Sequence, residues 1–207
     1  MLRAEEKFSS LQRRPEIYKS YRSLLYSGVV FIWCSFEIFM KDLWETALNK
    51  AGKSVKKMAL GNISKTENND SYNGIRGKYV NLDYLAQYDF NISNKLGSIL
   101  VNKFDFTSPY GIKHAFLCLF PKSTVIKEAL ENEGLIQLEA RRSLIVHRAG
   151  VIDSAFCKKT GISEKEIGTY LHLSDEEVFE YGNVTIDVVS KTIKAVSAIL
   201  SSRRKLA

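Results

Sequence analysis

Proline occurs only three times in this 207-residue chain, and glycine only twelve times. So few chain-breaking residues exclude a loop-dominated or disordered protein. Cysteine is equally sparse. Cys34, Cys118 and Cys157 lie far apart, no two have metal-ligand spacing, and the odd count fits a reducing compartment. Cys34 and Cys118 stand in apolar runs and read as buried thiols. The three histidines, His114, His147 and His172, show no ligand spacing with cysteine or with one another, so no zinc site is expected. The phosphate-cradling patterns G-x-x-x-x-G-K-[ST] and G-x-G-x-x-G, the zinc motif H-E-x-x-H and the nucleophile elbow G-x-S-x-G are all missing. No metal and no cofactor are therefore expected. A long hydrophobic run is missing too. The longest, Gly28 to Met40 (GVVFIWCSFEIFM), covers about half to two-thirds of a bilayer-spanning helix and carries Glu37. It reads as a buried core helix. The first residues, Met1 to Arg14, are a charged amphipathic stretch unlike a signal peptide, so a cytoplasmic protein with no membrane association is expected.

What is present is ample apolar material, 45% of residues, with 26% charged. That is enough for one domain spanning 1–207. The net charge of +7 is compatible with a polyanionic partner without requiring one.

Helical spacing dominates. Tyr18, Tyr21, Leu25, Val29, Ile32, Phe36, Phe39, Leu43 and Ala47 recur at intervals of three or four, with Pro15 at a first turn and Gly52 as a stop. This is one long helix, or two with a kink near Gly28. Its aromatics, among them Phe31 and Trp33, mark it as the central core helix. Glu37 in its middle is expected to pair with a basic group. Residues 61–81 change character, rich in Asn, Gly and Ser, and read as a long insertion loop. Short helices follow near 82–88 and 93–103, then a turn at Ser108-Pro109 and a helix capped by Ser123. Ser163–Glu166 and Ser174–Glu177 are capping-box patterns, and the second opens a last long helix through Val178, Tyr181, Thr185, Val188, Thr192, Val196 and Ile199. Strand alternation is weak everywhere, although 145–157 and 167–173 have room for a short hairpin. The fold class is all-α: a helical bundle on two long helices, with shorter helices and the insertion loop.

One segment is not explained by composition, "LIQLEARRSLIVHRAGVID" at 135–153. On a helical wheel Leu138, Ile145 and Val146 form an apolar sector with Arg142 inside it and Arg141 at its edge. A guanidinium in a buried stripe is costly unless it is paired, or reaches a cavity or an interface. His147 stands about 140° further around. One regular helix does not aim both side chains at one point. Either the helix ends at the histidine and redirects it, with Gly150 close behind, or a second copy of the chain completes the site.

"RRSLIVHRAGVID" resembles the signature helix of HEPN domains, small all-α ribonuclease and nucleotide-binding domains of bacterial toxin–antitoxin and phage-defence systems. Arg142 matches the motif arginine, Ser143 the polar position that is often asparagine, and His147 the histidine. The early helix with "FE-x-F" at Phe36–Phe39 is similar to the family's early core helix. The resemblance covers roughly 20–50 and 130–200. It implies a metal-independent endoribonuclease of a toxin–antitoxin or phage-defence system, working as a homodimer with a composite active site. Arg142, His147 and Ser143 would be catalytic. Arg141 and Arg148 would bind RNA, Glu37 would support the site from behind it, and an antitoxin or sensor protein would be a partner. Ala149 stands where some members carry a tyrosine that a partner nucleotidyltransferase modifies, so that control is not expected. The alternative within the family is a non-catalytic RNA-binding or dimerisation subunit of a defence complex. Outside it stands a helical interaction protein in which Arg142 pairs with a core carboxylate such as Glu37 and His147 caps a helix.

Overall fold

A computed structural model of the chain describes residues 14–66, 75–76 and 79–204. Among them are nine α-helices: α1 (Pro15–Lys50), α2 (Lys53–Thr66), α3 (Leu82–Ala86), α4 (Ile92–Leu100), α5 (Pro109–Leu119), α6 (Thr124–Leu130), α7 (Glu133–Arg148), α8 (Ser154–Thr160) and α9 (Asp175–Arg204). The protein is an all-α bundle, as its sequence pattern requires, and the two long helices are α1 and α9. The expected insertion loop is only partly a loop. Helix α2 runs into it as far as Thr66, and two-residue strands β1 (Ile75–Arg76) and β2 (Tyr79–Val80) pair antiparallel. Residues 67–74 and 77–78, like the charged stretch at 1–13, lie outside the described residues.

Local chemistry sets the helix boundaries. Pro15 opens α1, where a missing N–H costs nothing. Ser108 caps α5 by accepting from the Gly111 N–H at 3.1 Å, and Ser123 caps α6 by accepting from the Ile126 N–H at 3.3 Å. Ser174 and Glu177 close a reciprocal capping box at the head of α9, at 3.2 and 3.0 Å.

The chain is organised as two compact units, each drawn from both halves of the sequence. The first comprises Met1–Ser35 and Glu133–Thr185, the second Phe36–Asn132 and Ile186–Ala207. In the second unit Trp44 is fully buried. Its indole N–H donates to the Ala115 carbonyl at 2.8 Å, and its ring lies 4.9 Å from that of Phe104. Met40, Leu48, Ile112, Leu119 and Ile126 fill the surrounding core. In the first unit Leu25, Tyr26, Val29 and Trp33 of α1 are buried with Leu135, Leu138 and Leu144 of α7 and with Phe156 of α8. Helix α1 runs through Gly28 without a break. The glycine serves close packing instead, since a Cβ there would lie 3.1 Å from Val178 Cγ1 of α9.

The buried residues of α1 include Leu25, Tyr26, Val29, Trp33, Phe36, Met40, Trp44 and Ala47. They share Leu25, Val29, Phe36 and Ala47 with the spacing read from sequence, but Tyr18 and Phe39 are exposed. The segment is apolar on nearly every side, so periodicity alone leaves its inward face undetermined. Phe31, expected in the core, is 71% exposed, and with Ile17, Leu24 and Ile38 it forms a seven-residue repeat of exposed apolar side chains. By length and hydropathy alone α1 is comparable to a bilayer-spanning helix, with a third of its apolar window buried in the protein.

Candidate active site

The site lies in the first unit, where α7 ends and α8 begins. Helix α7 carries Glu133 in its first turn and His147 and Arg148 in its last, the arrangement that suits the helix dipole. It ends because Ala149 and Gly150 both turn left-handed, with φ of 52° and 78°. Glycine is required at the second position. A Cβ on Gly150 would fall 2.4 Å from the Tyr26 ring, which lies flush on the backbone there. The Tyr26 hydroxyl donates to the Leu171 carbonyl at 2.7 Å, and the Leu171 N–H donates to the Gly150 carbonyl at 2.8 Å. Burial outweighs the nearby Arg22 charge and raises the Tyr26 pKa, so this hydroxyl stays a donor.

Past the turn, the Ile152 N–H donates to the Thr169 carbonyl at 2.9 Å, and Val151 bridges Tyr170 antiparallel. This is the short hairpin that the sequence had room for, reduced to a single bridge. Asp153 then caps α8. Its Oδ1 accepts from the Phe156 N–H at 2.8 Å, while its Oδ2 lies 3.3 Å from Arg148 Nε. Gly161, at φ 76°, closes α8. The short connection folds α8 back along α7, and a pocket of about 170 Å³ opens between them. Ala140, Ser143, Leu144, His147 and Arg148 line it from α7, and Asp153, Ala155, Phe156 and Lys159 from the other side.

The expected site residues separate. Ser143, His147 and Arg148 share the pocket. Arg142 does not line it; it is half-buried elsewhere on α7. Glu37 is half-buried on α1 and belongs to the second unit. Arg141, expected to contact RNA, is only 12% exposed and is held internally. Its guanidinium donates to Gln137 Oε1 at 2.6 Å, lies 3.8 Å from Glu177 Oε1 and sits 5.5 Å from the centre of the Tyr181 ring. The expected apolar anchors also divide. Leu138 is fully buried, whereas Val146 is half-exposed, and Leu144 and Ala140 on the far side of the wheel are buried instead. Helix α7 is covered on several sides at mid-length and uncovered at its end.

His147 is exposed. Among the described residues neither its ring nor the Ser143 hydroxyl has a hydrogen-bond partner. Three of the exposed serines of α1, Ser20, Ser23 and Ser27, instead donate to the carbonyl four residues back. Lys159, which no sequence pattern marked, pairs with Glu139 at the pocket rim. Neither the Asp153 cap of α8 nor its ion pair with Arg148 was read from the sequence. Among the described residues no group of three or more His, Cys, Asp or Glu side chains could hold a metal ion. No family model, no curated protein and no solved structure matches this chain.

Proposed function

We propose that the protein is a metal-independent endoribonuclease of the HEPN type, acting in the cytoplasm as part of a toxin–antitoxin or phage-defence system. One observation carries this reading. His147 and Ser143, one helical turn apart, line the same open pocket with their hydrogen-bonding atoms uncommitted, beside the cations of Arg148 and Lys159. Uncommitted polar groups converging on a pocket mark a binding site better than they mark a core.

RNA carries its own nucleophile. A neutral imidazole at His147 takes the proton of the 2′-OH, and the 2′-oxygen attacks phosphorus as the bond to the 5′-oxygen breaks. The products are a 2′,3′-cyclic phosphate and a 5′-OH end. Arg148, engaged only through Nε, keeps its terminal nitrogens for a phosphate oxygen. Ser143 can donate to another. Arg142 leaves α7 in a different direction, so it meets a reacting phosphate through a second copy of the chain. In that homodimer the partner's imidazolium protonates the leaving 5′-oxygen.

Purified protein is expected to cleave RNA in EDTA and to leave cyclic-phosphate ends, with His147→Ala losing cleavage by 100-fold or more, at the lower end of a general base's contribution of about 10²–10⁴. Full activity in that variant would sink the proposal. Adding excess His147→Ala protein to wild type under conditions that exchange subunits tests the homodimer: a composite site that uses both imidazoles loses activity as mixed dimers form, and two independent sites lose none.

A further inference from the structure

We infer that the pocket between α7 and α8 is a nucleobase subsite, seating the base on the 5′ side of the cleaved bond while its 3′-phosphate rests on the rim. This deepens the nuclease reading and depends on it for RNA as the natural source of the ligand.

Size comes first. At about 170 Å³ the cavity is roughly half the smallest pockets that enclose a drug-sized ligand, about 300 Å³. It admits one ring system and leaves the rest of a nucleotide outside. The lining comes second. Ala140, Leu144, Ala155 and Phe156 make an apolar slot, and the two alanines keep it open where larger side chains would fill it. Single-stranded bases are bound in such slots by stacking and apolar contact.

Charge decides between a base and an apolar protein side chain. Two ion pairs flank the slot, and in both the cation is the solvent-facing half. The Arg148 side chain is 64% exposed against 32% for Asp153, and Lys159 is 46% exposed against 11% for Glu139. The accessible charge around an apolar slot is therefore positive. A base joined to a phosphate matches that arrangement, and a leucine or phenylalanine from a protein does not.

Ala155 is exposed, so leucine there fills the slot without disturbing the core. In an NMR titration, ribonucleoside 3′-monophosphates are expected to shift the amides of Ala140, Ala155 and Phe156 saturably. Inorganic phosphate at equal concentration should move only the rim. Ala155→Leu should weaken nucleotide binding at least tenfold at an unchanged melting temperature. On RNA it should raise KM or erase any base preference 5′ of the cut. Equal responses to phosphate and nucleotide, or unchanged nucleotide binding in Ala155→Leu, would overturn the subsite and leave the slot to a protein side chain. The two readings fail separately. Nucleotide binding without cleavage in the wild type removes the nuclease and keeps the subsite. Cleavage with unaltered kinetics in Ala155→Leu removes the subsite and keeps the nuclease.

Discussion

Arg141 and Arg148 are one residue type, seven positions apart on one helix, with opposite surroundings. Seven residues return nearly to the same face of a helix, so a wheel cannot separate them. Cover separates them: Glu177 and Tyr181 of α9 lie over Arg141, and among the described residues nothing comparable lies over Arg148, whose side chain is 64% exposed. Arg141→Ala is therefore expected to lower stability by about 2 kcal/mol, from the loss of a half-buried charged hydrogen bond and ring contact, as read by chemical denaturation. Arg148→Ala should change stability by less than about 0.5 kcal/mol, because its ion pair with Asp153 is solvent-screened. It should instead weaken RNA binding and flatten the salt slope by about one. Equal stability losses in the two variants would contradict this division. The reactive candidates Ser143 and His147 were legible as a motif. Lys159 was not, because its relation to the site exists only once α8 has folded back along α7.

At the scale of elements, the caps were readable and the faces were not. Pro15, Ser123 and the Ser174–Glu177 box act through neighbours within a few residues, so local sequence suffices to place them, whereas Ser108 was read as a turn and is the cap of α5. The inward face of α1 depends on which distant side chains cover it, and a segment apolar on most sides gives no local clue. The difference between adjacent aromatics is measurable. Trp33→Ala should cost about 3–5 kcal/mol, as removal of a fully buried large side chain does. Phe31→Glu, on the exposed repeat, should cost less than about 0.5 kcal/mol. Comparable thermal shifts for the two would mean that the buried line of α1 is wrongly drawn.

At the scale of the molecule, the all-α class followed from helical spacing along most of the chain and weak strand alternation. The two-unit organisation did not, because each unit joins segments remote in sequence. The net charge of +7 belongs to this scale as well. If the chain engages the RNA backbone through several cations, kcat/KM should fall steeply between about 50 and 200 mM salt, linearly on logarithmic axes. A flat response would remove the phosphate backbone from the interaction.

The discontinuous first unit also matters during synthesis. Its α1 segment leaves the ribosome well before α7, α8 and the start of α9, which complete the unit. Until residues 133–185 emerge, Leu25, Tyr26, Val29 and Trp33 lack the partners that share their core. The second unit has Trp44 and its partners, Phe104 and Ala115, well before that point. A growing chain therefore presents a partly assembled helical body with an uncovered aromatic N-terminal helix, the kind of surface that chaperones bind. His147 and its pocket take shape only once residues 140–159 have emerged and α8 has folded back along α7.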